Sequence, residues 1–417
     1  MLLKTILNQV QRHKSFVYGK VNWGDTEENA SIEIEVHART NSKALCSGCG
    51  CPGPGYDHLK TRRFEFVPLW GIAVYFLYAM RRVDCPTCGV TVERVPWSNG
   101  KGELTTTYQW FLARWAKRLA WSEVALIFNT TWEKVYASVK HAVFWGIAHR
   151  EVGGVEALGV DEIQWQRGHK YLTLVYQIDS GCKRLLWIGQ ERTEKTLEQF
   201  FDLLGDEIRP TLRYICSDMW QPYLKVIAQR VSEAIQILDR YHIMAKMNKA
   251  IDEIRAAEAR RLERDGYEPV LKHSRWCLLK RAWNRSKREI VKLRELLQYN
   301  LKTVRAYLLK EDFQRFWEYT SPTWARKFLR EWCARTMRSQ LEPMKKIAKT
   351  LREHEALLLN WFEAQGQISA GTVEGLNNKV KLTMRKSFGF RTFEAIEVAL
   401  YHNLGNLPEP DHTHRFC

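Results

Sequence analysis

The sequence predicts a multidomain α+β chain: a cysteine-knuckled β region, a helical hairpin, and an α/β unit with a mixed five-stranded sheet that a long all-α insertion interrupts. Three observations predict it. Two C-x-x-C pairs lie near the N-terminus. Between residues 158 and 246, short β-branched runs alternate with amphipathic helical stretches. From 247 to 360 the periodicity is helical, dense in tryptophan and in cations.

Residues 1–98 form the first region. Cys46-Ser47-Gly48-Cys49 and Cys85-Pro86-Thr87-Cys88 are separated by residues 50–84, and Gly50 and Gly89 follow each second cysteine. Four thiolates on two tight turns suit tetrahedral Zn²⁺ at about 2.3 Å. The stretches 62–67 and 73–78 alternate or run apolar, so short strands joined across the metal, a zinc ribbon, are expected. Cys51 is a spare donor beside them, and metal-free thiols are the competing reading. A closed Cys₄ site leaves no coordination position open, so the zinc is structural.

The ten cysteines read as thiols and metal ligands in a reducing, cytoplasmic setting. Residues 1–8 turn polar too early for a signal-peptide core. The longest apolar run, 69–80, falls short of the roughly 20 residues a spanning helix needs, so no membrane partner is expected.

Residues 99–150 read as a helix-turn-helix. A short helix over 122–128 is followed by turn and cap residues 129–131, and then Trp132, Val135, Val139 and Val143 form one apolar stripe. The outward face then offers Lys134, Ser138, Lys140 and His141 to a DNA groove. A plain helical hairpin in a larger bundle has the same periodicity.

Charge points to polyphosphate. Lys and Arg number 64 against 47 Asp and Glu, a formal balance of +17 over 417 residues. The excess is concentrated: residues 271–310 hold twelve Lys or Arg and only two acids, Glu289 and Glu295. A solvated helical face is the alternative explanation.

The α/β unit, first part 155–246, has strands at 158–166, 171–178 and 184–188, a helix at 194–204, a strand at 212–216, a helix at 221–231 and a strand at 234–238. That order is the topology of a ribonuclease H-like fold. In it the first and fourth strands are neighbours, so Asp161 and Asp218 converge, while Glu162 points to the opposite face. Asp202, Asp206 and Glu207 fall on a helix or loop away from that edge. His242 follows the fifth strand, either near the acidic centre or as a structural cap of the next helix.

Beyond the insertion of 247–360, whose tryptophans are expected to be mostly core, the second part of the α/β unit spans 361–417. From Glu374, a helix places Asn378, Lys381 and Arg385 on one stripe and Val373, Leu376, Val380 and Met384 on another. An ordinary amphipathic helix with a surface Glu at its start, worth about 0.3–1 kcal/mol through the helix dipole, is the competing reading.

These residues resemble the DDE transposases of bacterial insertion sequences, most closely the ISL-three family. The resemblance runs from about 46 to 406 and rests on the paired knuckles, the helix-turn-helix, Gly159-Val160-Asp161-Glu162, Gly168-His169-Lys170-Tyr171, Ser217-Asp218-Met219, Asp239-Arg240-Tyr241-His242, the run Val373-Glu374-Gly375-Leu376-Asn377-Asn378-Lys379-Val380-Lys381, and Phe388-Gly389-Phe390-Arg391. It implies that Asp161, Asp218 and Glu374 form a carboxylate triad for Mg²⁺ (or Mn²⁺) in DNA strand cleavage and 3′-end transfer. It further implies transposon-end and target DNA as partners, a homodimer on DNA, and DNA contacts from Asn378, Lys381, Arg385 and Arg391. A DNA-binding regulator without catalysis and a nuclease on the same fold are the two other classes the residues admit.

Overall fold

The computed structural model describes residues 2–24, 30–100, 102–364, 368 and 370–411. The chain divides into two compact units, Met1–Glu151 with Leu382–Cys417, and Val152–Lys381. The stretch 361–417, expected as one piece of the α/β unit, is therefore split within a helix: Glu374 stays with the sheet, and the chain from Leu382 on belongs to the first unit.

In the first unit the two expected ribbon strands are the middles of much longer ones, Gly55–Leu69 and Ile72–Cys85. They join Phe16–Gly24 and Ser31–Ala38 in a sheet, with Gly89–Val92 paired to the end of Ile72–Cys85. Alternation drives this: Ile32, Ile34 and Val36 point inward from one strand and Val74, Phe76, Tyr78 and Met80 from another. They close on Trp97, fully buried and edge-on to Phe16, Phe64, Phe76 and Tyr78. The knuckles thus hang on a sheet with its own aromatic core. Helices Thr106–Arg118, Trp121–Ile127 and Trp132–His149 follow, the first and last capped by the Thr105 and Thr131 hydroxyls.

The second unit has the expected mixed five-stranded sheet, in the order Lys183–Gln190, Lys170–Ile178, Ala157–Gln166, Tyr214–Ser217, Ile235–Leu238. The first three are antiparallel neighbours, and the last two run parallel to Ala157–Gln166. Helices Glu194–Ile208 and Gln221–Arg230 bury Leu197, Phe200, Phe201, Tyr223, Val226 and Ile227 against Leu158, Val160, Val175 and Ile215.

Helix Arg240–Arg264 leads into the all-α region, whose core includes Phe313, Phe316, Trp317 and Trp332. The expectation that most of its tryptophans are core needs correcting, because Trp276, Trp283 and Trp324 are 54%, 74% and 59% exposed. Leucine and phenylalanine fill the bundle, and each exposed indole lies beside a cation: Arg275, Arg281 and Lys327, at 5.1, 5.5 and 5.3 Å from the ring centres. Helix Ala370–Lys386 returns to the sheet so closely that a Cβ on Gly159 would stand 2.5 Å from Val373 Cγ2. Among the described residues no helix is long and apolar enough to cross a membrane.

Candidate functional site

Two parallel strands carry the acidic cluster and a third ends beside them. Cys216 is registered on Gly159, so Asp218, just past its strand, comes alongside Asp161. The backbone N–H of Asp239 donates to Ser217 O at 2.9 Å, which fixes a third carboxylate next to the first two. The C-terminal ends of parallel strands are where open α/β sheets gather their sites.

His242 stands among these acids. Its Nε2 is 3.6 Å from Asp161 Oδ2 and 3.8 Å from Asp239 Oδ2, and its Nδ1 is 3.8 Å from Asp218 Oδ1. Burial by itself would lower its pKa, but the hydrogen bond to Asp161 and the charges of Asp161, Asp218 and Asp239 hold it up at about 9. Burial raises Asp239 to about 6. Of the two expectations for His242, the structure favours proximity to the acids: the cap is Asp239, whose Oδ1 accepts from Tyr241 N at 2.7 Å. Lys246, one turn on, reaches to 4.0 Å from Asp218.

Asp161 is 6% exposed and held on both oxygens. Oδ1 accepts from the Glu162 backbone at 2.8 Å, and Oδ2 accepts from the Asn377 amide, whose own Oδ1 accepts from the Tyr176 hydroxyl at 2.7 Å. Asn377 is buried, whereas the expected Asn378 is exposed. Sequence spacing missed this because a step of three residues from Glu374, rather than four, faces the strand. Glu162 turns to the other face, as strand alternation requires, and pairs with Arg192 at 2.9 Å. Burial raises it to about 7 against the opposing pull of that guanidinium.

Glu374 is half-buried and opens onto a cavity of about 460 Å³ beside Tyr241. Among the described residues, only the four knuckle cysteines bring three or more donor side chains within 4.8 Å of one another. The structure thus gathers Asp161 and Asp218 around one imidazole and places Glu374 in the wall of a cavity that neither aspartate lines. Asp161 and Asp218 offer hard oxygens of the kind that bind a divalent cation such as Mg²⁺, and the His242 imidazole lies between them.

Cys46, Cys49, Cys85 and Cys88 converge as their spacing predicted, with Cys49 and Cys85 sulfurs 3.5 Å apart and Cys51 outside the group. Gly50 and Gly89 adopt φ of +76° and +71°, a turn geometry that a side chain would strain. The Thr91 hydroxyl and knuckle N–H groups lower the Cys46 thiol to about 6. Four such sulfurs suit tetrahedral zinc.

Of the expected groove-facing side chains of the helical hairpin, Ser138 turns inward, while Lys134 and Lys140 stay partly exposed in ion pairs. Ser138 is fully buried and donates to Lys134 O at 2.7 Å. Lys134 pairs with the buried Glu65 at 2.7 Å, Lys140 pairs with Glu394, and His141 lies against the Trp110 ring. The helix is rotated so that its cations neutralise acids of its own unit. Lys134→Ala is therefore expected to cost about 2 kcal/mol by stranding Glu65, read as a lowered melting temperature. Weaker DNA binding with unchanged melting would restore the groove-facing role. Lys381, Arg385 and Arg391 are exposed.

The sheet with its acidic edge and the cysteine knuckles are compatible with a DDE-type transposase. A family model of ISL3-type DDE transposases, described as "Transposase", matches residues 158–400, and the chain belongs to this family. The transposase for insertion sequence element IS1001 from Bordetella parapertussis is 25% identical, covering 94% of this chain and 96% of that protein. The transposase for IS1557 from Mycobacterium tuberculosis (strain ATCC 25618 / H37Rv) is 28% identical, covering 92% of this chain and 91% of its own length.

Proposed function

We propose that this protein binds the ends of its insertion sequence, cleaves DNA strands there and joins the 3′ ends to target DNA, on a ribonuclease H-like core. The observation that carries the reading is the meeting of Asp161 and Asp218, distant in sequence, around His242 at 3.6 and 3.8 Å. With Glu374 they are the residues that would hold Mg²⁺ or Mn²⁺. When bound, the cations supply charge stabilisation for the attacking and departing oxygens.

The chain's own groups prepare that centre. Asn377 fixes the orientation of the Asp161 carboxylate, and protonated His242 offsets the repulsion among the three aspartates. Lys381, Arg385 and Arg391, with Asn378, are assigned to phosphates of the bound DNA. Zinc on the four cysteines is structural, and a homodimer in the cytoplasm engages paired ends.

The test uses labelled duplexes from the DNA flanking the gene, incubated with the protein and Mg²⁺. Nicking at the element boundary followed by joining into a second duplex is the expected result. Binding without nicking at any divalent-ion concentration would make the protein a regulator; nicking without joining would make it a nuclease.

A further inference from the structure

We propose that Glu162, Arg192 and Trp220 form a clamp, on the face of the sheet opposite the acids, that sets the spacing of Asp161 and Asp218. All three are positioning residues. Their purpose rests on the reading above of the two aspartates as cation ligands, while the clamp itself is a matter of contacts within one unit.

The ladder between the two parallel strands stops before it reaches either aspartate. Its last pair is Gly159 with Cys216, short of Asp161 and of Asp218 alike. Asp161 is nevertheless held, opposite Leu174 in the neighbouring antiparallel strand. Asp218 lies beyond Ser217, the end of its own strand, and only Met219 separates it from Trp220, the cap of helix Gln221–Arg230. Where Asp218 stands therefore follows from where Trp220 is held.

Arg192 holds it. Glu162 Oε1 pairs with a terminal nitrogen of Arg192 at 2.9 Å, and the guanidinium carbon lies over the Trp220 ring, 4.2 Å from its centre. A planar cation can make both contacts at once. The clamp thus runs from the strand of Asp161, through one guanidinium, to the turn that carries Asp218. Tyr223 braces the indole edge-on at 4.6 Å, and its hydroxyl lies 2.7 Å from Thr173 Oγ1, on the residue that faces Glu162 across the antiparallel ladder.

Two features of this spot cost stability. Glu191, which aims the chain into Arg192, has φ of +69°, a left-handed conformation that a side chain disfavours. Its N–H donates to Tyr171 O at 2.9 Å and its carbonyl accepts from the Thr173 hydroxyl at 2.7 Å, so the turn is held in that shape. Glu162 Oε2 and Arg192 Nε are shielded from solvent, and neither has a hydrogen-bond partner among the described residues. The pair thus forgoes the two-bonded fork that a carboxylate and a guanidinium can form. An ion pair serving stability alone would close that fork; one that keeps Arg192 over Trp220 needs only the contact it has. Backbone strain and unmet polar groups of this kind gather where geometry serves a site.

The test uses the full chain and replacements that conserve charge, so that a change reports position. In metal-free protein labelled at histidine, the nuclear magnetic resonance signal of the His242 ring, assigned by its loss in His242→Gln, reports the two carboxylates that flank it. Arg192→Lys, Glu162→Asp and Trp220→Leu are each expected to displace that signal. Trp220→Phe, which keeps a ring beneath the guanidinium, should leave it in place. Mn²⁺ binding that Asp161→Asn abolishes, followed by the electron paramagnetic resonance of the free ion, should weaken roughly 10- to 100-fold in the same three variants. Arg192→Lys/Trp220→Leu should bind no more weakly than the weaker of its single variants, because either change breaks the same chain of contacts. A His242 signal at its native position in all three variants, whatever their melting temperatures, would make them packing residues and overturn the proposal. Losses of Mn²⁺ affinity that add in the double variant would overturn it too. If the native chain binds no Mn²⁺ through Asp161, the cation reading falls, and the His242 signal still decides the clamp.

Discussion

Asp161→Asn protein is expected to bind end DNA as the native chain does while its metal-dependent nicking falls on the order of a thousandfold or more. The substitution keeps shape and removes charge. Asp161 sits 6% exposed with Oδ1 on the Glu162 amide and Oδ2 on the Asn377 amide. Both partners are donors, so an amide NH₂ in place of either oxygen sets donor against donor and withdraws one hard ligand. Folding should survive, because one of three crowded carboxylates around His242 has been neutralised. Asp218→Asn should behave alike; Glu374→Gln should lose nicking while melting unchanged. Gel shift, nicking and thermal melting on the same preparations read these outcomes. Full nicking by Glu374→Gln would remove that residue from the centre and leave Asp161 and Asp218 with a different third group.

Much of the second unit was readable from residue order. The expected strands at 158–166 and 171–178 appear as Ala157–Gln166 and Lys170–Ile178, and the helix at 221–231 as Gln221–Arg230. Buried strands and capped helices announce themselves there through runs such as Leu172 to Ile178, which no solvent-facing pattern interrupts. The first unit was harder. Ser31–Ala38 alternates Ile32, Ile34 and Val36 with Glu33 and Glu35, a period of two that marks a strand but not its partners. Its neighbours in the sheet are Phe16–Gly24 and Ile72–Cys85, and the latter pairing is parallel and long-range.

Side-chain roles were less readable than backbone elements. Lys134 and Ser138 looked like an outward face because helical periodicity gives the angle between two stripes, not which stripe meets a neighbour. Glu65, on a distant strand, decides the matter by taking Lys134. Asp239 passed as part of a motif because its role as helix cap and its place beside Asp161 both depend on strand order. Asn377 differs from Asn378 by a single residue, and only the close approach of Val373 to Gly159 sets the phase that turns Asn377 inward.

Cys85→Ser is expected to abolish stoichiometric zinc, about one ion per native chain, since a structural Cys₄ site binds with apparent free energies of about 10–16 kcal/mol and serine cannot replace a thiolate ligand. The structural consequence should be local. Cys85 ends the strand Ile72–Cys85, and the knuckle amides Cys46 N and Gly50 N bond only to Cys51 O and Cys46 O. Loss of the ion leaves the two turns joined only through flanking bonds such as Ser47 N to Val92 O and Arg94 N to Leu45 O. Val74 and Phe76, in the same strand but packed in the core around Trp97, are held by the sheet itself. Hydrogen exchange should therefore lose protection at Cys46 and Gly50 while Val74 and Phe76 stay protected, in Cys85→Ser and in chelator-treated native protein alike. Fast exchange at Val74 and Phe76 would mean that the metal, rather than the aromatic core, holds the sheet. Unchanged exchange at the knuckles after chelation would mean that the four thiols pack without it.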